Sequence, residues 1–193
     1  DKAELAARLK DYADYIVSPV GNLDWIKKVA EDFPPLLITR WTVFGGAHKD
    51  KITDPTHALQ IDATSAFGTG EHPTTRGCLV ALDKLLTREG ERAHSWNMLD
   101  MGCGSGILAM AFAKALAGTK AQAFGVDMDQ QSVDIAKENA AINNEEAQVH
   151  FAISMGYELE EVQSRAPYDL IMANIFADPL CEMAPTLKSH LRA

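Results

Sequence analysis

Three glycines at alternate positions end the run Leu99-Asp100-Met101-Gly102-Cys103-Gly104-Ser105-Gly106. Glycines spaced this way let a backbone turn sharply and lie against a ligand with no Cβ in the way. An apolar strand pattern leads into the run and an alanine-rich helical pattern leaves it. The turn therefore faces a helix start, with its N–H groups and the positive end of its dipole. Asp127 closes the next strand, 25 residues after Gly102. A carboxylate there can accept from both hydroxyls of a ribose. Capping the following helix is the alternative use, and Asp129 suits that better. Asn174 follows a fourth strand, in Ala173-Asn174-Ile175-Phe176-Ala177. Its amide oxygen can orient a substrate amine at the carboxyl end of a sheet, although asparagine is also a common turn residue. A second glycine loop, Ser65-Ala66-Phe67-Gly68-Thr69-Gly70-Glu71-His72, can be neither regular strand nor helix. His72 has the chemistry of a general base, but a lone histidine beside a helix start caps or packs more often.

The spacing separates two nucleotide chemistries. The dinucleotide fingerprint G-x-G-x-x-G, counted from Gly102, needs its third glycine at a position held by Ile107. The form present, G-x-G-x-G after an acid, is associated with S-adenosylmethionine (AdoMet) rather than NAD. Cys78, Cys103 and Cys181 are scattered and odd in number, with no C-x-x-C pair. Neither a disulfide framework nor a metal site is expected, and a reducing compartment fits.

Composition narrows the classes further. The chain has 193 residues, of which 47% are hydrophobic and 23% charged, enough to bury a core. Lys and Arg number 18 against 27 Asp and Glu, a net charge of −9, so a global basic footprint for nucleic acid is absent. Residues 61–193 carry −8 of this. Solubility explains the excess, and steering of a cationic partner is the sharper alternative. Apolar stretches fall short of a membrane span, and the start is not a signal peptide.

The elements that must position these residues follow from periodicity. Leu5, Leu9, Tyr12 and Ile16 predict a helix over residues 3–16, and Asp24–Asp32 a second. Leu36–Phe44 and Ala58–Asp62 read as two strands joined by a polar loop. Pro73 opens a helix whose stripe of Cys78, Leu79, Leu82, Leu85 and Leu86 runs to about Thr87. Beyond Trp96, strands and helices alternate: strand Asn97–Met101, helix Ile107–Leu116, strand Ala121–Val126, helix Gln130–Ile142, strand Gln148–Ile153, strand Tyr168–Ala173, and a helix from Asp178 to about Arg192. This order predicts an α/β fold with a parallel sheet and helices on both faces.

The ten residues Ala66-Phe67-Gly68-Thr69-Gly70-Glu71-His72-Pro73-Thr74-Thr75 resemble the loop of the ribosomal protein L-eleven methyltransferases (PrmA type). Asp100–Gly106, Gly125-Val126-Asp127-Met128-Asp129 and Ala173-Asn174-Ile175 continue the resemblance, which spans roughly residues 24–193. It implies a Rossmann-like class I methyltransferase fold, with residues 1–64 as a small helix and hairpin extension and 65–193 as the AdoMet-binding core. It implies AdoMet contacts from Thr75, Gly102, Asp127 and Asn174; Gly104 and Gly106 complete the glycine turn. Phe67, Gly68, Thr69 and Gly70 would wall the transfer centre, with Asn174 and Phe67 positioning the acceptor and no dedicated base. The implied activity is methyl transfer to a protein amine, a lysine or N-terminal amino group, of a basic ribosomal protein in the cytoplasm. Neither a membrane nor direct nucleic-acid binding is expected. Two departures stand out. Residues 1–23 are too short for the family's separate N-terminal domain. The family sheet has seven strands, so the core reads as truncated after the fourth. Two alternatives stay open: the same fold acting on a small molecule or RNA base, and a module that binds AdoMet without turnover. Asn174-Ile175-Phe176-Ala177 lacks the N-P-P-Y/F form, which counts against a base-nitrogen substrate.

Overall fold

The computed structural model describes residues 34–62 and 72–192, together with Glu4, Arg8 and Leu9, which are helical. The rest of the helix expected at residues 3–16, the helix expected at Asp24–Asp32, and Phe67, Gly68, Thr69 and Gly70 lie outside the described residues.

The segment Leu36–Phe44, expected as one strand, is a hairpin. Strand β1 (Leu36–Ile38) pairs antiparallel with β2 (Trp41–Phe44) in the register Leu36↔Val43 and Ile38↔Trp41. The two residues between them make the turn, and Thr39 adopts φ 53°. A threonine in this left-handed region is disfavoured by about 1–2 kcal/mol, and no glycine or asparagine signals the reversal. Arg40 anchors the turn instead, donating to the Asp83 carboxylate and, at 2.9 Å, to the Thr87 hydroxyl. Thr39→Gly should therefore raise stability by roughly 0.5–1 kcal/mol in urea unfolding. A loss would show that the threonine side chain contributes more than its backbone costs.

Strand β3 (Ala58–Gln60) lies parallel to β2, reached through a 3-10 turn at Gly46–Lys51, so this sheet has three strands where two were expected. Helix α1 (Pro73–Glu89) follows, with His72 at its N-cap accepting from the Thr74 backbone N–H. The main sheet then forms from β4 (Asn97–Met101), β5 (Gln122–Asp127), β6 (Val149–Ile153) and β7 (Leu170–Ala173). All its pairings are parallel, and the order is β6-β5-β4-β7. The chain thus walks outward from β4 to β6 and returns to the far side of β4. That reversal places a switch point between β4 and β7, where ligands of such sheets bind at the carboxyl ends.

The connecting helices are α2 (Ile107–Ala115), α3 (Gln130–Asn143), the short α4 (Glu160–Ser164), which periodicity missed, and α5 (Ala177–His190). Every residue of α2 from Ile107 to Ala113 is buried. It has no polar face because it is sandwiched, and its alanines allow close approach. Its side chains join Ile38, Trp41 and Leu59 of the small sheet and Leu79 and Leu82 of α1 in one apolar cluster. A second cluster, built on Leu99, Phe124, Val126, Tyr157 and Tyr168, fills the opposite face of the main sheet. Among the described residues β7 is an edge strand. Tyr168, expected inside it, instead pairs with the chain at Leu191, through Tyr168 N–H to His190 C=O and Arg192 N–H to Tyr168 C=O, both at 2.8 Å.

Candidate active site

Strand β4 ends at Met101, and the chain turns through Gly102–Gly106 into α2. Gly102, Gly104 and Gly106 all have positive φ, at 71°, 51° and 79°. The turn is held by its own bonds. The N–H groups of Gly102 and Cys103 both donate to Val126 C=O, at 2.8 and 2.9 Å, and Gly106 N–H donates to Cys103 C=O at 2.8 Å. Gly104 N–H donates to Asp127 Oδ2 at 3.0 Å. The N–H groups of Gly102, Cys103, Gly104 and Gly106 thus already have internal acceptors.

The three glycines do different work. Gly102 and Gly104 are half-buried, whereas Gly106 is buried. A Cβ on Gly102 would collide with the Ile175 side chain, which follows β7. On Gly106 it would come within 2.7 Å of the Phe151 ring and 3.0 Å of Ala136 Cβ. Packing thus demands glycine at Gly106, against β6 and α3, and at Gly102, against Ile175, while Gly102 and Gly104 alone of the three keep partial exposure toward a ligand.

Asp127 ends β5 half-buried, one oxygen on Gly104 N–H and the other on Asp129 N–H at 3.1 Å. Asp129 caps α3 through the N–H groups of Gln131 and Ser132, the capping role expected for it from sequence. Asn174 follows β7, and its Nδ2 donates to the Thr75 hydroxyl at 3.0 Å. Thr75 is fully buried on the first turn of α1. This bond joins residues 99 positions apart and fixes the amide so that Oδ1 is its accepting end. Among the described candidates, Gly102, Gly104, Asp127 and Asn174 therefore gather at the carboxyl ends of β4, β5 and β7.

Sequence reasoning passed over Asp100 except as the acid before the glycines. It is 1% exposed, and its Oδ2 accepts the Ala109 N–H at 3.1 Å, securing the first turn of α2. Its Oδ1 is buried with no hydrogen-bond partner. Burial pushes its carboxyl up to about 7; the Ala109 bond opposes this and the Asp127 charge adds to it. The Cys103 and Cys78 thiols are also pushed up, by burial first and then by Asp100. Neither is poised as a thiolate nucleophile. Two large apolar side chains at the same edge, Met128 after β5 and Ile153 ending β6, are 65% and 49% exposed. Alternation inside a strand gives no warning of these, because they lie where the strands end.

The solvent-accessible charge beside the glycine turn is thus the Asp127 carboxylate. A phosphate would meet repulsion there, whereas a ligand with positive charge and sugar hydroxyls would not. Among the described residues no group of three His, Cys, Asp or Glu side chains is arranged to hold a metal ion, and no helix is long and apolar enough to cross a membrane.

Known proteins match this chain in sequence and in fold. The sequence model of the family described as ribosomal protein L11 methyltransferase (PrmA) matches residues 2–193. A curated protein named ribosomal protein L11 methyltransferase from Brucella suis is 36% identical over 198 residues, covering 99% of this chain and 66% of the relative. Another from a Caulobacter species is 39% identical over 173 residues, covering 89% and 57%. The chain thus spans less than two thirds of the length of these relatives. The crystal structure of a ribosomal protein L11 methylase from Lactobacillus delbrueckii subsp. bulgaricus matches with a TM-score of 0.64 and 26% identity, over 83% of this chain and 76% of that one.

Proposed function

This chain belongs to the ribosomal protein L11 methyltransferase (PrmA) family, and we propose that it binds AdoMet and transfers the methyl group to an amine of a ribosomal protein. The observation that carries this reading is the glycine turn with the half-buried Asp127 carboxylate on its Gly104 N–H. AdoMet brings what such a site favours: a sulfonium, an α-ammonium and a ribose diol. Asp127 would accept from the diol, Gly102 and Gly104 would let the methionyl part lie close, and Met128 and Ile153 would offer apolar surface to the adenine ring.

In the transfer, the amine lone pair forms a bond to the methyl carbon as the carbon–sulfur bond breaks, and sulfur keeps that electron pair. The amine must arrive neutral, so it loses a proton to solvent against a free lysine pKa of about 10.4. Asn174 Oδ1 would accept from the amine and aim it, with Thr75 orienting Asn174. The chain's own part is positioning and exclusion of water. We further propose that Phe67, Gly68, Thr69 and Gly70 wall the transfer centre, that residues 65–193 form the AdoMet-binding unit after an extension of residues 1–64, and that the protein works in the cytoplasm on a protein rather than a nucleic-acid substrate.

Calorimetric titration with AdoMet and transfer of a radiolabelled methyl group to purified ribosomal proteins test the reading. Saturable binding with label in a ribosomal protein is expected. Label appearing only in RNA would overturn the substrate, and binding without turnover would leave a cofactor-binding module. Asp127→Ala should weaken AdoMet binding by at least about tenfold, because charge-assisted bonds contribute roughly 1.5–3 kcal/mol each. Asp129→Ala should instead cost about 1 kcal/mol of stability as a lost helix cap, with affinity unchanged. Equal affinities in the two variants would remove Asp127 from the site.

A further inference from the structure

Helix α3 carries two buried asparagines one turn apart, Asn139 and Asn143, 1% and 9% exposed. A helix face turned into an apolar core has no ordinary use for two amides, since each buried polar group must be matched. Here the matches are to backbone, apart from a long contact of Asn143 Nδ2 to Met110 Sδ at 3.9 Å. Asn143 Oδ1 accepts the Gln60 N–H at 2.9 Å, and its Nδ2 donates to the Gln60 C=O at 2.7 Å. That is what a neighbouring strand would do for Gln60, so Asn143 closes the open edge of β3. Asn139 works one step further along the same edge. Its Oδ1 accepts the Asp62 N–H at 3.3 Å, but its Nδ2 turns away and donates to the Ser105 C=O at 3.0 Å.

Ser105 lies between Gly104 and Gly106 in the glycine turn. Asp62 lies at the end of the small sheet, five residues before Phe67 in sequence. Asp62 is itself tied back by its carboxylate, which accepts from Gly46 N–H at 2.6 Å and from Gln60 Nε2 at 2.9 Å. One side-chain amide therefore bridges the glycine turn and the end of the small sheet at Asp62.

We propose that Asn139 is a positioning residue that holds the glycine turn in register with the small sheet at Asp62, and thereby in the shape that binds the cofactor. The inference rests on the AdoMet reading only for its functional consequence. The bridge itself consists of two hydrogen bonds, and an amide is the one small side chain that both accepts and donates at the two required points. Aspartate has nearly the same shape but presents an oxygen to the Ser105 carbonyl, which repels it when ionised and can be bonded when protonated. Leucine fills similar space and offers neither bond.

The test compares Asn139→Asp and Asn139→Leu with Leu86→Ala, a core truncation on the last turn of α1 that serves as a control for lost stability. Hydrogen exchange of the Gly102–Ile107 segment is followed without ligand, and AdoMet affinity is measured well below each melting midpoint. Both Asn139 variants should exchange faster in that segment and bind AdoMet at least about tenfold more weakly, the scale of a lost buried hydrogen bond. Asn139→Asp should recover toward the unsubstituted protein as the pH is lowered, and Asn139→Leu should not. Leu86→Ala should melt earlier with neither readout changed. Faster exchange in all three variants alike would overturn the proposal, as would unchanged exchange in the Asn139 variants. If the unsubstituted protein bound no AdoMet, the functional reading would fail while the exchange result still judged the bridge.

Discussion

Gly106→Ala is expected to destabilise the protein by about 2–5 kcal/mol, the sum of a left-handed backbone penalty of about 1–2 and an overpacking penalty of about 1–3. Gly106 combines φ 79° with a backbone packed so tightly that a Cβ would lie 2.7 Å from the Phe151 ring and 3.0 Å from Ala136 Cβ. Neither neighbour is free to leave. Phe151 is 7% exposed, and Ala136 is buried on α3. The ring also lies against Gly125, where a Cβ would come within 2.5 Å of it, so Phe151 accounts for glycines on two separate elements. Urea unfolding of Gly106→Ala, Phe151→Leu and the double variant separates the two penalties. The double variant should be less destabilised than the sum of the singles, because the smaller side chain removes the collision with the ring and leaves the backbone cost and the tight Ala136 contact. Strict additivity would show that the ring is not what excludes a side chain at Gly106.

Stability should fall as the pH rises from about 5 to about 8, and Asp100 should be the main cause. Its carboxyl moves from 3.8 to about 7 in the folded protein, chiefly through burial. Between those values the folded state binds the proton that the unfolded state has released. Stability then declines with pH and the loss is complete once the folded group ionises, a total of about 4 kcal/mol at 1.36 kcal/mol per pKa unit. Asp100→Asn removes the titration while keeping an oxygen for the Ala109 N–H. Melting curves across this range should slope downward for the unsubstituted protein and lie nearly flat for Asp100→Asn. Parallel curves would assign the pH dependence to another group. Leaving Asp100 as a buried acid has a structural use: its other oxygen secures the first turn of α2 directly behind the glycine turn.

Sequence by itself determined the parts of this protein that are local. The alternate glycines, the acid before them and the strand-to-helix switch around them are contiguous, and they read as a ligand turn because only glycine adopts φ 71° and 51° without strain. The caps at His72 and Asp129 were legible for the same reason: each bonds to backbone within three residues of itself. The alternation of strands and helices after Trp96 likewise dictated a parallel sheet, because each strand returns through a crossover. The hairpin at Thr39 was not legible, because its reversal depends on Arg40 reaching Asp83, 43 positions away, rather than on turn residues.

Tertiary structure decided how the pieces divide the work. Gly106 looks like its two companions in sequence, yet it is buried and answers to Phe151, 45 positions further on. Asn139 and Asn143 look like surface residues of a polar helix until the small sheet packs there and needs its edge paired. Asp100 becomes an acid that titrates near neutrality only because α1, α2 and the main sheet shut water out around it. In each case the deciding contact joins residues far apart in the chain. Close packing and desolvation exist only once those elements have met, so no local pattern could carry the information.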